Sequence, residues 1–243
     1  MGCDDDFNRE SWASHLKSEK INKWQFTKRL DGRLEWVCEH GVGHGNHIHG
    51  CCENHCCSRE DYPGKQIKLH IGPGKRNWPG WINIDIANFP HIHYHDIKRL
   101  PFKDNSVDLI YSSHMIPYFD REEIIPILQE WKRILKPSGI LRLAVTNFEM
   151  VVKLYNSDRY KLQSFLGPLF GRIDVNGDKI YHKTVYDYDS LKKLLEDCGF
   201  SNVRWWDWKQ VDHGKWDDHS QAFLPKMDKE NGFLISLNME GEK

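Results

Sequence analysis

Residues 38–57 hold ten thiols and imidazoles: Cys38, His40, His44, His47, His49, Cys51, Cys52, His55, Cys56 and Cys57. Four such groups converging on one point make a tetrahedral zinc site. The spacing matches no standard finger, because no C-x2-C pair is followed by a second after ~12–20 residues. Disulfides are the main rival reading and a catalytic thiol a weaker one. The chain opens MGCDDDF, acidic where a secretory signal is basic and then apolar. A cytoplasmic location is therefore expected, and structural disulfides are rare in a reducing cytosol. The expectation is metal binding through Cys38, His40, Cys51, Cys56 and Cys57, with His49 next. Its role would be structural, since a loop with Gly41, Gly43, Gly45 and Gly50 cannot bury a core of its own. A second trio, His91, His93 and His95, has strand period and shares one face. Here a solvated sheet edge is the preferred reading over a metal.

A different chemistry is offered by Gly72-Pro73-Gly74, which follows the apolar run IKLHI. A glycine turn at the carboxyl end of a strand is where open α/β sheets bind nucleotides. The dinucleotide pattern G-x-G-x-x-G fails at Asn77, and a Walker loop fails because Arg76 follows Gly74-Lys75. S-adenosylmethionine carries no phosphate and needs no third glycine. It needs backbone that can approach its methionine end, an acid for both ribose hydroxyls and a polar group for adenine. Asp85 in INID and Asp96 in YHDIKRLPF have the right positions for the last two.

Methyl transfer from a sulfonium is an in-line displacement governed mainly by orientation. A base is needed only where the acceptor must lose a proton, as a hydroxyl does. His114 in SSHMIPYF follows a strand at the cofactor edge and titrates in a suitable range. The alternative is a His that caps the strand or stacks on the cofactor. Arg172 and His182, in FLGPLFGRIDVNGDKIYHKTVYDYDS, are acceptor-site candidates unless that stretch is an ordinary surface loop. The stretch 205–224 carries Asp207, Asp212, His213, Asp217, Asp218 and His219 among Trp205, Trp206, Trp208 and Trp216. It could hold a polyol or a metal, although a single Trp is more often core.

The elements that must position these groups follow from periodicity. Residues 8–30 read as one or two helices, with Trp12, Leu16, Ile21, Trp24, Phe26 and Leu30 at roughly helical spacing. From 66 onward short apolar strands alternate with helical patterns. Strands are expected at 67–71, 82–86, 91–97, 107–113, 139–145, 202–208 and 232–240. Helices are expected at 121–139, 148–155 and 188–200. This alternation implies an α/β fold with a mainly parallel sheet.

The stretches LHIGPGKRNWPGWINIDI, HDIKRLPFKDNSVDLIYSSHMIPYF and EWKRILKPSGILRLAV resemble class I S-adenosylmethionine-dependent methyltransferases. The likeness covers about residues 66–243 and is nearest to a subgroup of small methyltransferases. It implies a Rossmann-like, seven-stranded sheet of order 3-2-1-4-5-7-6, with strand 7 antiparallel. It also implies cofactor contacts at His70, Gly72, Gly74, Asp85, Asp96, Ile97 and Ser113; beside them His114 and His182 are the catalytic candidates. Two departures stand out. The family usually has an acid two residues before the first glycine, where this chain has His70, and the helix between strands 1 and 2 is short or absent. The domains expected are a Cys/His-rich module, 1–65, and a methyltransferase domain, 66–243.

Composition bounds the partners. The chain has 243 residues, 34 basic and 35 acidic side chains and a net charge of −1. That balance makes a nucleic-acid surface unlikely, since such a surface needs excess Lys and Arg. No run approaches the ~18 apolar residues of a membrane span, so no membrane partner is expected. The Met-Gly-Cys start lacks the Ser or Thr that a myristoylation signal wants at position 6, where Asp6 stands. The function expected is methyl transfer to a small, hydroxylated acceptor such as a sugar. The alternative is a non-catalytic methyltransferase fold that contacts RNA or protein through its zinc module. Oligomeric state is not legible.

Overall fold

The computed structural model describes residues 66–175 and 177–243, together with the backbone of three short strands before them. Contacts divide the chain into two units, Met1–Lys65 and Gln66–Lys243.

The strands of the first unit are β1 (Glu19–Ile21), β2 (Trp24–Lys28) and β3 (Leu34–Cys38), paired antiparallel in that order. The helical reading of 8–30 is therefore corrected over 19–21 and 24–28. WQFTK and LEWVC alternate with period two and are rich in aromatic and β-branched residues, which favour strands. Asp31-Gly32 lies between them, a hairpin signal that helical spacing overlooked.

The second unit is built on one six-stranded sheet. Its strands are β4 (Lys68–Ile71), β5 (Ile82–Ile84), β6 (Val107–Ser113), β7 (Leu135–Thr146), β10 (Ser201–Trp205) and β13 (Ser236–Glu242). Two small hairpins complete the set: β8 (Ile173–Val175) with β9 (Asp178–Ile180), and β11 (Phe223–Leu224) with β12 (Phe233–Leu234). The sheet order is β5-β4-β6-β7-β13-β10. β4, β5, β6 and β7 are parallel, and β13 runs antiparallel to both its neighbours. This is the mostly parallel sheet expected, with one strand fewer than the seven expected. The segment 91–97 contributes only an isolated parallel bridge, Ile84 to Tyr94. Side chains explain the loss. The Asn83 N–H donates to His93 Nδ1 (2.9 Å), a ladder position taken by an imidazole instead of a carbonyl. His91 Nε2 lies 2.9 Å from Gly74 O, and His95 Nδ1 lies 2.9 Å from Asp85 O. The histidine trio thus fastens residues 91–95 to the glycine turn and β5.

The helices are α1 (Ile124–Ile134), α2 (Phe148–Asn156), α3 (Gln163–Phe170) and α4 (Tyr188–Asp197). α1 buries Ile124, Ile127, Leu128, Trp131 and Ile134. It ends before Pro137 because the residue preceding a proline avoids helical backbone. Lys132 and Arg133 meet the negative end of its dipole. α4 starts with a capping box in which Asp187 and Ser190 exchange side chain-to-backbone bonds.

The two faces of the sheet differ. One carries Leu69, Ile71, Ile110, Leu141, Leu143, Leu237 and Met239, all fully buried. α4 contacts the sheet at β10 and β13, and its Tyr188 stacks on Trp205 at 5.3 Å. The register lines up Asn83, His70, Tyr111, Arg142 and Glu240 across the opposite face. No helix lies between β4 and β5. Instead Trp78, Trp81, Trp206, Trp208 and Trp216 pack over Tyr111 and Ala144. A layer of indole rings takes the place of helices on this face. Among the described residues no helix is long and apolar enough to cross a membrane.

Candidate cofactor and active site

The carboxyl ends of β4, β5 and β6 bring the expected cofactor residues together. Gly72 has φ +75°, and its N–H donates to Ile84 O at 2.8 Å. A Cβ there would stand 2.6 Å from Met115 Cγ, so both conformation and space require glycine. Gly74 has φ +58° and open space where a side chain would project. Its N–H donates to Asp85 Oδ2 (2.8 Å), and Asp85 Oδ1 accepts from Ala87 N–H (2.8 Å). The acid at the end of β5 therefore fixes the glycine turn, and each oxygen keeps a second lone pair for a ligand hydroxyl. Asp96 Oδ1 accepts from Lys98 N–H (2.8 Å) and Arg99 N–H (3.2 Å) at the exposed rim. Ile97 beside it is buried, and its carbonyl accepts from Trp131 Nε1–H at 3.1 Å. Ser113 Oγ is buried without a hydrogen-bond partner. The open space over Gly74, the strand-end carboxylate and this orphaned hydroxyl fit S-adenosylmethionine.

His70, two residues before Gly72, has a different setting. It is buried on the aromatic face, stacked on Trp78 at 4.1 Å, with Tyr111 at 5.3 Å. Burial, and then His213 and Arg76, hold its pKa well below the usual imidazole range. It is a neutral ring and does not replace the charge of the acid usual at this position.

Beyond Ser113 the chain turns out of the sheet at His114, whose φ is +53°. Such backbone is uncommon for a non-glycine residue, and the ring is half-buried. His114 Nε2 lies 3.3 Å from Ser236 Oγ, and the His219 ring is 5.4 Å away. Burial, and then the neighbouring His219 and His182, lower the His114 pKa well below the ordinary value. His182 packs edge-on against Tyr118 at 4.6 Å, and its Nδ1 lies 3.1 Å from Leu169 O. The Tyr118 hydroxyl donates to Gly171 O. His114 and His182 thus share one electrostatic neighbourhood, with His219 as its third imidazole. Arg172, by contrast, is exposed beyond the end of α3.

Several side chains of the stretch 205–224 are tied into the fold. Buried Asp218 accepts from the Tyr111 hydroxyl (2.5 Å) and from Ser220 N–H (2.8 Å). Arg142 pairs with Glu240 at 2.7 Å, and its Nη1 lies 3.2 Å from His213 Nε2. Trp206 and Trp216 join the aromatic layer. The Tyr111–Asp218 bond fastens His219, the next residue, over His114. Sequence reasoning missed this bond, and its one signal is the excess of Trp where a covering helix is lacking. Among the described residues no group of three or more His, Cys, Asp or Glu could hold a metal ion. Cys38 ends β3, whereas His40, His49, Cys51, Cys56 and Cys57 lie outside the described residues.

The mostly parallel sheet supports a Rossmann-like methyltransferase fold. The family model described as "Methyltransferase domain" matches residues 81–143, a span that includes Asp85, Asp96, Ile97, Ser113 and His114. A demethylmenaquinone methyltransferase of Staphylococcus haemolyticus is 29% identical over 129 residues, 47% of this chain and 49% of that protein. The corresponding protein of Staphylococcus saprophyticus is 25% identical over 215 residues, 80% of this chain and 78% of its own. The chain thus spans about half the length of the first of these curated relatives. A solved S-adenosylmethionine-dependent methyltransferase from Methanosarcina mazei is similar at TM-score 0.46 and 19% identity, over 76% of this chain and 95% of that one. The match over residues 81–143 supports an S-adenosylmethionine-dependent methyltransferase of class I.

Proposed function

We propose that the chain methylates a small acceptor bearing a hydroxyl, such as a sugar or another metabolite, with His114 as general base. The observation that carries this reading is the placement of His114, neutral and beside Ser236 and His219, one residue beyond the cofactor edge. S-adenosylmethionine supplies an electrophilic methyl group on a sulfonium that is already a good leaving group. Gly72, Gly74, Asp85, Asp96, Ile97 and Ser113 bind and orient it. His114 accepts the acceptor's proton on its unprotonated ring nitrogen, and His182 borders the acceptor. The relatives' name gives demethylmenaquinone as their acceptor. Such a ring carries hydroxyls when reduced and so falls within the same class.

The test is a screen of metabolites for transfer of an isotopically labelled methyl group. With the acceptor found, His114→Gln should lower kcat by about 10²–10⁴, the usual range for a lost general base. The acid limb of the wild-type profile should lie below the ordinary imidazole pKa of about 6.5. An unchanged kcat in the variant would remove His114 from this role.

For the Cys/His window the proposal is structural zinc. Its support is compositional: ten possible ligands in residues 38–57. Elemental analysis of protein purified without added metal should give about one equivalent or more, as one filled four-ligand site requires. Less than about half an equivalent, with the thiols shown to be reduced, would contradict it.

A second reading, binding without catalysis through the first unit, is favoured by one observation. The neutral His70 stands where the family's acid would meet the cofactor's amino group. Failure to bind cofactor at all would support it.

A further inference from the structure

Twelve large apolar side chains are exposed among the described residues, and nine of them fall between 148 and 185. They follow a pattern. On α2, Phe148, Val152 and Tyr155 recur at i, i+4 and i+7, on the face next to the buried Val151 and Leu154. Along α3, the N-cap residue Leu162 and then Leu166 and Phe170 recur at i, i+4 and i+8, away from the buried Phe165. These six side chains are 39–53% exposed. The two helices share one core cluster, and Tyr155 lies against Phe165 at 6.2 Å, so the stripes belong to adjoining elements. α3, QSFLGPLF, is apolar on nearly all sides. A helix of that kind needs a non-aqueous neighbour on its outer face as well as its inner one.

Charge points to the nature of that neighbour. Between 148 and 172 the exposed Lys153, Arg159, Lys161 and Arg172 outnumber Glu149 and Asp158, in a chain whose net charge is −1. An apolar stripe edged with Lys and Arg is the pattern of helices that lie in the headgroup region of an anionic bilayer. A second copy would set two cationic faces against each other. The surface also adjoins the reactive edge. Thr146 Oγ1–H at the end of β7 donates to Pro168 O (2.8 Å), and His182 N–H donates to Phe170 O (2.9 Å).

We propose that the outer faces of α2 and α3 form a peripheral docking surface for an anionic lipid membrane, with the edge that carries His114 and His182 beside it. The expectation of no membrane partner rests on the lack of a spanning run, and surface docking needs none. The surface stands whether or not methyl transfer occurs.

Full-length protein should be sedimented with phosphatidylcholine vesicles, with and without phosphatidylglycerol. Binding should require the anionic lipid and weaken as salt rises. The combined substitution Leu162→Gln, Leu166→Gln and Phe170→Ser should weaken it about tenfold or more, since about 0.8 kcal/mol attends each buried methylene. Ile125→Gln, an exposed apolar residue on α1, should leave it unchanged. Should the triple variant fail to fold, Lys153→Glu with Lys161→Glu should still lower binding to the anionic vesicles alone. Wild-type protein that ignores both vesicles, or binding indifferent to these substitutions, would overturn the proposal. So would a concentration-dependent dimer that the triple variant abolishes, which would assign the face to a second copy. Calorimetry with S-adenosylmethionine on the same samples reads the methyltransferase assignment separately.

Discussion

Acidification from pH 7 to pH 5 should cost this protein several kcal/mol of stability, starting as the pH falls through the ordinary imidazole range. His213 is the clearest source. It is buried 4.3 Å from the Tyr111 ring, and desolvation, then Arg142 and Lys68, lower its pKa to about 3. Between that value and about 6.5 the unfolded chain holds a proton at this ring that the folded chain does not. Stability therefore rises with pH across this window and is lost as pH falls. The slope is about 1.4 kcal/mol per pH unit for one group, or roughly 2 kcal/mol by pH 5. His70 and His114 are shifted in the same direction by burial, and so is His182. Denaturant unfolding followed by tryptophan fluorescence at the two pH values measures the sum. His213→Phe should reduce the pH-dependent loss by roughly the 2 kcal/mol assigned to that ring. Equal midpoints for the wild type at pH 7 and pH 5 would show that these histidines charge freely in the folded state.

Replacing Asp85 by Ala should abolish cofactor binding while leaving the fold in place. The carboxylate accepts from Gly74 N–H and Ala87 N–H and faces the side where the ribose hydroxyls are expected. Hydrogen bonds to a charged group contribute about 1.5–3 kcal/mol each, so losing two corresponds to about a hundredfold or more in Kd. Asp96→Asn should cost less, because Asp96 lies at the exposed rim and its amide oxygen can still accept. Calorimetry on both variants, with thermal melts to check folding, measures the difference. Binding by Asp85→Ala within a few-fold of wild type would remove the ribose role from this acid.

Much of the sheet was legible because its strands are short apolar runs between clear stops. β6 occupies the span expected of VDLIYSS, and α4 begins at the capping box spelled by DYDS. The missing helix between β4 and β5 could be anticipated from Pro79 and Gly80. Other features were not legible, for physical reasons. Trp24 and Phe26 stand two apart, the strand period, which the wider helical spacing read over 8–30 obscured until β3 is seen to pair with β2. The fragment 91–97 has strand period, and His93 N–H donates to Asn83 O, yet the return bond from Asn83 N–H goes to the His93 ring and not to a backbone carbonyl. The aromatic layer depends on contacts between residues as distant as Trp78 and Trp216, whose rings stack at 5.3 Å. The same holds for His219, which reaches His114 only because Asp218 binds Tyr111.

The central claim is that the edge formed by Gly72, Gly74 and Asp85 holds S-adenosylmethionine. Titration calorimetry of the wild-type chain with S-adenosylmethionine, or with its demethylated product, tests it most directly. The predicted result is saturable binding of one cofactor per chain, lost in Asp85→Ala. No heat of binding at about millimolar cofactor, near −4 kcal/mol on the affinity scale, would contradict the claim.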